Sequence, residues 1–380
     1  MKPSANRLAT VNGLRGLAII AVMYFHQSDW RAIGPFISGT DISLGPLLHN
    51  TWTGVNLFFV LSGFVLFLPY VNGRRSLATL ADALNFWQRR FFRLMPAYYV
   101  AAVVLIAVTY AVWNPDWLGP DALRVLTLGF VFARYHFTPQ ADGAFWSLGV
   151  EVLFSLIFPL LIVLAGRIGL WRLLGMVLVF CLAARVVGRL WNPYNVTTPN
   201  PISDNIFGRL DEFFLGMAIA QLYVTEKIGE RARFLLWPGL LLIGAALVGF
   251  EQCRMHHWDA VWMAPLNKVL DAGLCCVLVA SLSGRGWVVR MLSVAWLQVT
   301  GMMCYSLYLW HQPLADWVEA GAADMARPAR LVIWVVLSFA VGALSYRFIE
   351  FGKTRNWRAL FLLRGPVVAA TAASDPARPA

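Results

Sequence analysis

The stretch NGLRGLAIIAVMYFH, residues 12–26, decides how the rest of the chain is interpreted. It is an apolar run of the kind that crosses a bilayer, yet it carries Arg15 near one end and His26 at the other. In helical geometry the eleven positions between them turn through about 1100°, so both side chains lie on one face, about 16 Å apart along the axis. Ionisable residues inside a membrane span are costly and usually functional. The stretch therefore predicts a polar site within the membrane.

The composition is that of a membrane protein, with 59% hydrophobic and 13% charged residues. Repeated apolar runs of about 20 residues predict an all-α, polytopic transmembrane bundle. The formal net charge is +11. The basic residues fall in short loops between apolar runs, where they set orientation and contact anionic lipid, so nucleic acid is not an expected partner. Five cysteines without a CxxC pair predict neither a disulfide framework nor a metal site.

We predict ten spans, at residues 11–28, 50–70, 94–113, 145–165, 170–190, 207–224, 235–251, 263–283, 296–315 and 329–350. Residues 123–135 are apolar but short, and the sequence leaves open whether they span the membrane, dip into it or lie along it. If they do not span, the basic connections collect on one side, and the positive-inside rule places both termini in the cytoplasm. Residues 1–350 then form one transmembrane domain, and 351–380 a cytoplasmic tail whose distal part is disordered.

Glu151 is a second intramembrane charge, six residues into the apolar run FWSLGVEVLF. A carboxylate there needs a cation or a proton, which His26 or an arginine could supply. Beside an imidazole it would raise the basicity of the ring and fix its tautomer, as a general base requires. The alternative is a structural pair with an arginine. Ser147 lies one helical turn earlier on the same face and is a candidate substrate contact.

Three arginines, Arg89, Arg90 and Arg93, stand at the entry of the third predicted span in FWQRRFFRLMP. Arg90 and Arg93 are one helical turn apart and could hold phosphate groups in fork geometry. The alternative is that all three only set topology and contact lipid.

Two further pairs contain charged residues near the predicted outer ends of spans. Arg209 and Asp211 in GRLDEFFLGM either form ion pairs or face an acceptor substrate. His311 and Asp316 form an H-x4-D spacing, but the spacing crosses Pro313 at a membrane exit, and we treat it as a chance match. Neither a P-loop nor a Rossmann glycine pattern occurs, so we expect no permanently bound cofactor.

Several of these stretches together resemble the acyltransferase 3 family of integral-membrane acyltransferases. The family's R-x10-H pattern is matched by Arg15 and His26, its R-x-x-R pair by Arg90 and Arg93, and its W-S-L-x-x-E motif by the residues ending at Glu151. Further resemblances are FFVLSGFVL (58–66), YSLYLWHQPL (305–314) and SYRFIE (345–350). The chain departs from the family pattern at residue 152, a valine where members often carry a second acid.

The resemblance implies transfer of an acyl group, most often acetyl, from cytoplasmic acyl-CoA to a hydroxyl of a cell-envelope glycan or other glycosidic acceptor. It implies a multi-pass protein of the bacterial cytoplasmic (inner) membrane, in a form without the esterase-like domain fused to some members. Acyl-CoA would be a co-substrate, and the partners would be that donor, the glycan and membrane lipid.

By the same resemblance, His26 would be the general base, Glu151 would orient it, and the four arginines 15, 89, 90 and 93 would bind coenzyme A and stabilise developing charge. Transfer through an acyl-histidine stays open. The rival interpretation is a transporter or a lipid or glycan flippase, although the hydropathy shows no two-fold symmetry. The sequence does not specify the acceptor, the acyl group or the oligomeric state.

Overall fold

A computed structural model describes residues 5–27, 44–112, 118–192 and 198–363. Within these residues every regular element is helical, as predicted for an all-α bundle. The helices are α1 (Ala5–His26), α2 (Gly45–His49), α3 (Gly54–Val71), α4 (Leu80–Val112), α5 (Leu118–Thr127), α6 (Phe145–Ile168), α7 (Leu170–Trp191), α8 (Ile206–Val224), α9 (Leu236–Arg254), α10 (Met263–Ser281), α11 (Trp287–Leu292), α12 (Ala295–Met302), α13 (Cys304–Gly321), α14 (Arg327–Ser345) and α15 (Trp357–Leu360).

Seven described segments are long and apolar enough to cross a membrane: Thr51–Val71, Leu80–Val108, Phe145–Ile168, Leu170–Trp191, Glu230–Arg254, Ala260–Ser281 and Arg327–Glu350. A helical membrane bundle is therefore supported, while the count of ten spans and the cytoplasmic termini stay predictions. Helix α8 falls outside the seven because Arg209, Asp211 and Glu212 all lie in its first two turns.

One predicted span is divided in the structure, and one segment that the sequence left open is resolved into short elements. The predicted span 296–315 is divided between α12 and α13, which meet at Met303. Residues 123–135 fall in α5 and in a 3-10 turn, Gly129–Phe132. A ten-residue helix is about 15 Å long, half the hydrocarbon core of a bilayer, so α5 cannot cross it. The part of the predicted tail beyond residue 363, and the last predicted residues of the first and third spans (28 and 113), lie outside the described residues.

The centre of the bundle is the contact of α3 with α8. Glycines make it close, because a Cβ added to Gly63 would collide with the Phe213 carbonyl, and one added to Gly216 with the Val60 carbonyl. Phe213 then stacks on Phe154 of α6, with ring centroids 3.9 Å apart. This packing holds α3 and α6 against the same helix, α8, and α1, α4 and α13 complete the walls of the cavity described next.

Candidate functional site

A cavity with an empty volume of about 780 Å³ lies between α1, α3, α4, α6 and α13. Its wall on α3 is mainly apolar. Its polar lining contains five residues that the sequence singles out from three separate helices: Arg15, Arg90, Arg93, Ser147 and Glu151. The structure therefore brings five of the predicted site residues into one space, whereas His26 and Arg89 are not in the cavity lining. The roles of all of them stay predictions.

Two of the cavity arginines have carboxylate partners. Arg90 Nη2 lies 2.5 Å from Glu151 Oε1, and Arg90 Nε donates to Ser155 Oγ at 3.2 Å. Arg93 pairs with Glu350, whose side chain is fully buried at the end of a π-helix, Tyr346–Glu350. The carboxylate of Glu151 therefore belongs to an arginine, which is the structural alternative left open by the sequence.

Arg15 differs from these two arginines, since no hydrogen-bond or ion-pair partner faces it among the described residues. Three guanidinium groups thus face two carboxylates around the cavity. The cluster carries one net positive charge, located at Arg15. An unpaired cation in a cavity lined by apolar side chains is suited to an anionic ligand.

Ser147 and Tyr308 form a hydrogen-bonded pair at the cavity wall. Tyr308 Oη lies 2.8 Å from the Ala144 carbonyl oxygen and 2.6 Å from Ser147 Oγ. A carbonyl oxygen only accepts, so the single phenolic hydrogen of Tyr308 goes to Ala144. Ser147 must then donate to Tyr308, which leaves the lone pairs of Ser147 Oγ as its remaining hydrogen-bonding capacity.

His26, at the end of α1, contacts a second histidine rather than Glu151. His26 Nδ1 lies 3.1 Å from His311 Nε2 of α13 and 2.9 Å from the Val22 carbonyl oxygen. The two rings meet edge to face with centroids 5.0 Å apart. The predicted contact between Glu151 and His26 is therefore wrong, because the Glu151 carboxylate pairs with Arg90 instead.

His311 is named in the sequence analysis only in the H-x4-D spacing, which we treat as chance, and it is not assigned there to the site. It is fully buried, and its ring lies beside that of Tyr308, with centroids 5.6 Å apart. His311 thus connects the His26 end of α1 to the cavity wall at Tyr308. The signal was available, because a histidine in the middle of an apolar run is itself an intramembrane ionisable group.

Arg89, Arg209 and Asp211 lie away from the cavity. Arg89 is not in its lining, and its Nε atom is buried with no hydrogen-bond partner in the described part of the chain. Arg209 is buried and pairs with Asp204 and Glu212, and Asp211 pairs with Lys268. Of the two options left open for Arg209 and Asp211, the structure shows ion pairing.

These pairs belong to a larger buried charge network that joins α7, α8, α10 and the segment before α8. Its four cations and four anions are Arg185, Arg189, Arg209, Lys268, Asp204, Asp211, Glu212 and Asp271. Among the described residues, the carboxylates of Asp211, Glu212 and Asp271 are close enough to share a cation. The Lys268 ammonium already bridges Asp211 and Asp271, so a side chain supplies that positive charge.

Asp142, in the loop before α6, is a buried acid with a different environment. Its Oδ1 accepts a hydrogen bond from the Ala144 backbone N–H at 2.8 Å, while Oδ2 is buried with no hydrogen-bond partner among the residues described. Burial raises the pKa of the Asp142 carboxyl well above its ordinary value.

Comparison with known proteins finds relatives that match most of the chain. Three relatives are the peptidoglycan O-acetyltransferase OatA of Listeria monocytogenes (26% identical, covering 93% of this chain and 57% of that protein), the exopolysaccharide production protein ExoZ of Rhizobium meliloti (28%, 80% and 90%) and the O-acetyltransferase OatA of Staphylococcus aureus (24%, 91% and 57%). The chain thus spans little more than half the length of the two OatA proteins. No solved structure matches the chain significantly.

The family described as "Acyltransferase domain" matches residues 8–350, which include both histidines, the cavity arginines and Glu350. The match covers nine-tenths of the chain and keeps the motifs in one continuous stretch. The chain therefore belongs to the acyltransferase 3 family.

Proposed function

We propose that this chain is a membrane O-acyltransferase that moves an acyl group from cytoplasmic acyl-CoA to a hydroxyl of a cell-envelope glycan. Acetyl is the simplest choice of acyl group, because two of the relatives are named O-acetyltransferases. The observation that carries the proposal is the cavity, because it joins a net positive arginine cluster to a wall that adjoins a histidine pair.

The donor would bind with its charged and thin parts in different regions of the cavity. Arg15, which has no carboxylate partner among the described residues, would hold the phosphates. Arg90 and Arg93 would add hydrogen bonds from the guanidinium N–H groups that do not donate to Glu151 and Glu350. The pantetheine arm contains amide N–H groups, and the lone pairs of Ser147 would accept one of them. Phe58 would cover the arm on the apolar side.

His26 would act as the general base at the far end of α1 from Arg15. It takes the proton of the acceptor hydroxyl while the hydroxyl oxygen forms a bond to the thioester carbonyl carbon. The tetrahedral intermediate then collapses as the carbon–sulfur bond breaks, and the thiolate of coenzyme A leaves and takes the proton. In a path through an acyl-histidine, the basic nitrogen of His26 first attacks the thioester carbon and releases the thiolate of coenzyme A. The acceptor hydroxyl then takes the acyl group from that nitrogen, and its proton ends on the released thiolate.

The test is His26→Ala in isolated membranes supplied with radiolabelled acetyl-CoA. We expect labelling of the envelope glycan to fall by at least ~10²-fold, the contribution of a general base. His49→Ala is the matched control, since His49 is also part-buried but pairs with Glu251 away from the cavity. Near-normal labelling by His26→Ala would remove the assignment.

A second measurement identifies the acceptor. Mass spectrometry of envelope glycans and secreted glycosides, from cells with and without the gene, should show an acyl group that disappears with the gene. Uptake of a substrate without any covalent acyl product would instead favour the transporter interpretation.

A further inference from the structure

The histidine pair fixes where hydrogens lie on both rings. His311 Nδ1 faces two carbonyl oxygens of its own helix, Tyr308 O at 2.9 Å and Leu307 O at 3.2 Å. A carbonyl cannot donate, so this nitrogen must carry the hydrogen. His311 is fully buried, which disfavours the doubly protonated cation. His311 Nε2 therefore carries a lone pair and no hydrogen, and it faces His26 Nδ1.

The same reasoning then applies to His26. Its Nδ1 lies between two acceptors, the His311 Nε2 lone pair at 3.1 Å and the Val22 carbonyl at 2.9 Å. Both contacts are favourable only when His26 Nδ1 carries a hydrogen. In the neutral ring, the lone pair must then be on His26 Nε2.

The opposite arrangement can be excluded on the same contacts. If His311 Nε2 donated to His26, the lone pair on His311 Nδ1 would face two carbonyls, and the lone pair on His26 Nδ1 would face the Val22 carbonyl. Three acceptor–acceptor contacts would be buried without hydrogens between them, at the cost of unmade buried hydrogen bonds.

We propose that His311 is the positioning residue for His26: it holds the ring through Nδ1–H and keeps the basic lone pair on Nε2, the atom that takes the acceptor proton. This rests on the proposed function for the identity of the reaction, but the tautomer stands independently of it. The role that the sequence suggested for the Glu151 carboxylate is thus filled by a neutral imidazole, which orients His26 without placing a negative charge beside it.

The first test is spectroscopic and needs no substrate. The purified full-length chain in lipid nanodiscs is labelled with ¹⁵N in its six histidine rings, and His26 is assigned from the signals lost in His26→Asn. We expect neutral His26 to show a protonated Nδ1 and a bare Nε2. In His311→Leu, which removes the acceptor, we expect this preference to weaken. A bare Nδ1 on His26 in the wild-type protein would overturn the proposal.

The second test compares His311→Gln with His311→Leu in the labelled acetyl-CoA assay. The glutamine side chain can place an oxygen near the position of His311 Nε2 and accept from His26, whereas leucine cannot. We expect His311→Leu to lower kcat by ~10²-fold or more with KM for acetyl-CoA unchanged, and His311→Gln to restore most of the rate, because a wrong tautomer removes base catalysis. Equal rates for both variants and the wild type would refute the positioning role.

Two controls separate folding and the proposed function from this inference. Trp334→Phe removes the indole N–H that donates to the His311 carbonyl at 2.8 Å, so it perturbs the same packing but leaves the histidine pair. Trp334→Phe should keep the His26 tautomer. In the second control, unchanged binding of coenzyme A by His311→Leu would show that the cavity of this variant is intact. If the wild type transfers no acyl group, the proposed function fails while the tautomer measurement still decides this proposal.

Discussion

The molecule buries two sets of basic side chains, and they differ in charge balance and in space. In the buried charge network around α7 and α8, four cations face four anions, and the gap beside Arg185 has an empty volume of about 160 Å³. Around the cavity, three arginines face two carboxylates, and about 780 Å³ is open beside them.

This difference shows which arginines are suited to binding. The network is balanced in charge by the chain itself, so adding a charged ligand would require breaking ion pairs that are already desolvated. Arg185 illustrates this, because it donates to the Gly208 carbonyl at 2.6 Å as well as pairing with Glu212. Arg15 has open volume and no carboxylate partner among the described residues, so an anion can reach it without such a loss.

The largest expected effect contrasts Arg185→Met with Arg15→Met. Arg185→Met leaves buried carboxylates without their cation, and we expect it to lower the free energy of unfolding by about 3–5 kcal/mol. Thermal unfolding in detergent, followed by a thiol-reactive dye on the five free cysteines, measures this. Arg15→Met should keep stability and instead weaken coenzyme A binding by about 10-fold or more, the loss of a charge-assisted hydrogen bond. Equal destabilisation by both variants would contradict the comparison.

An intermediate effect is expected from Glu151→Gln, which tests the paired part of the cavity. Arg90 would lose the charge that fixes its position, so we expect acyl transfer to fall by about 10²-fold, the cost of a misplaced positioning group. Coenzyme A binding should not weaken, because the cavity becomes more positive. Glu251→Gln is the matched control, as that carboxylate pairs with His49 and Arg254 outside the cavity. A normal turnover number for Glu151→Gln would remove Glu151 from the site.

The smallest effect concerns Asp142, a buried acid that has no cationic partner among the described residues. Its pKa is raised in the folded state, so its contribution to stability is full below the unfolded value of about 3.9 and is lost as pH rises through the folded pKa. Asp142→Asn should therefore raise Tm relative to the wild type, and the difference should grow from pH 5 to pH 8. Asp121→Asn, at an acid paired with Arg124, should lower Tm instead. A pH-independent difference for Asp142→Asn would refute the interpretation.

Local sequence patterns were sufficient for the helices and for much of the cavity. Helical rise and turn are fixed by the backbone, so the R-x10-H spacing places Arg15 and His26 on one face of α1 whatever surrounds it. The motif containing Glu151 likewise forms a helix, with Ser147 one turn earlier. The high cost of charge in a membrane span marked Arg15, His26 and Glu151 as candidates.

The choice of partners could not be predicted in this way. Glu151 had two plausible partners, His26 and an arginine, and both satisfy the same rule that a buried carboxylate needs a cation. The structure selects Arg90 because α4 packs against α6, where Trp87 Nε1 donates to the Ser155 carbonyl at 3.2 Å and Arg90 reaches Glu151.

The sequence alone therefore determined the all-α membrane bundle, the family, and which charged residues lie within apolar helices. Only the tertiary structure decided which of these side chains pair with each other, including His311 with His26, which are 285 positions apart in the chain. The physical reason is that helix geometry depends on neighbours within a few residues, whereas side-chain pairing depends on which helix faces are brought together.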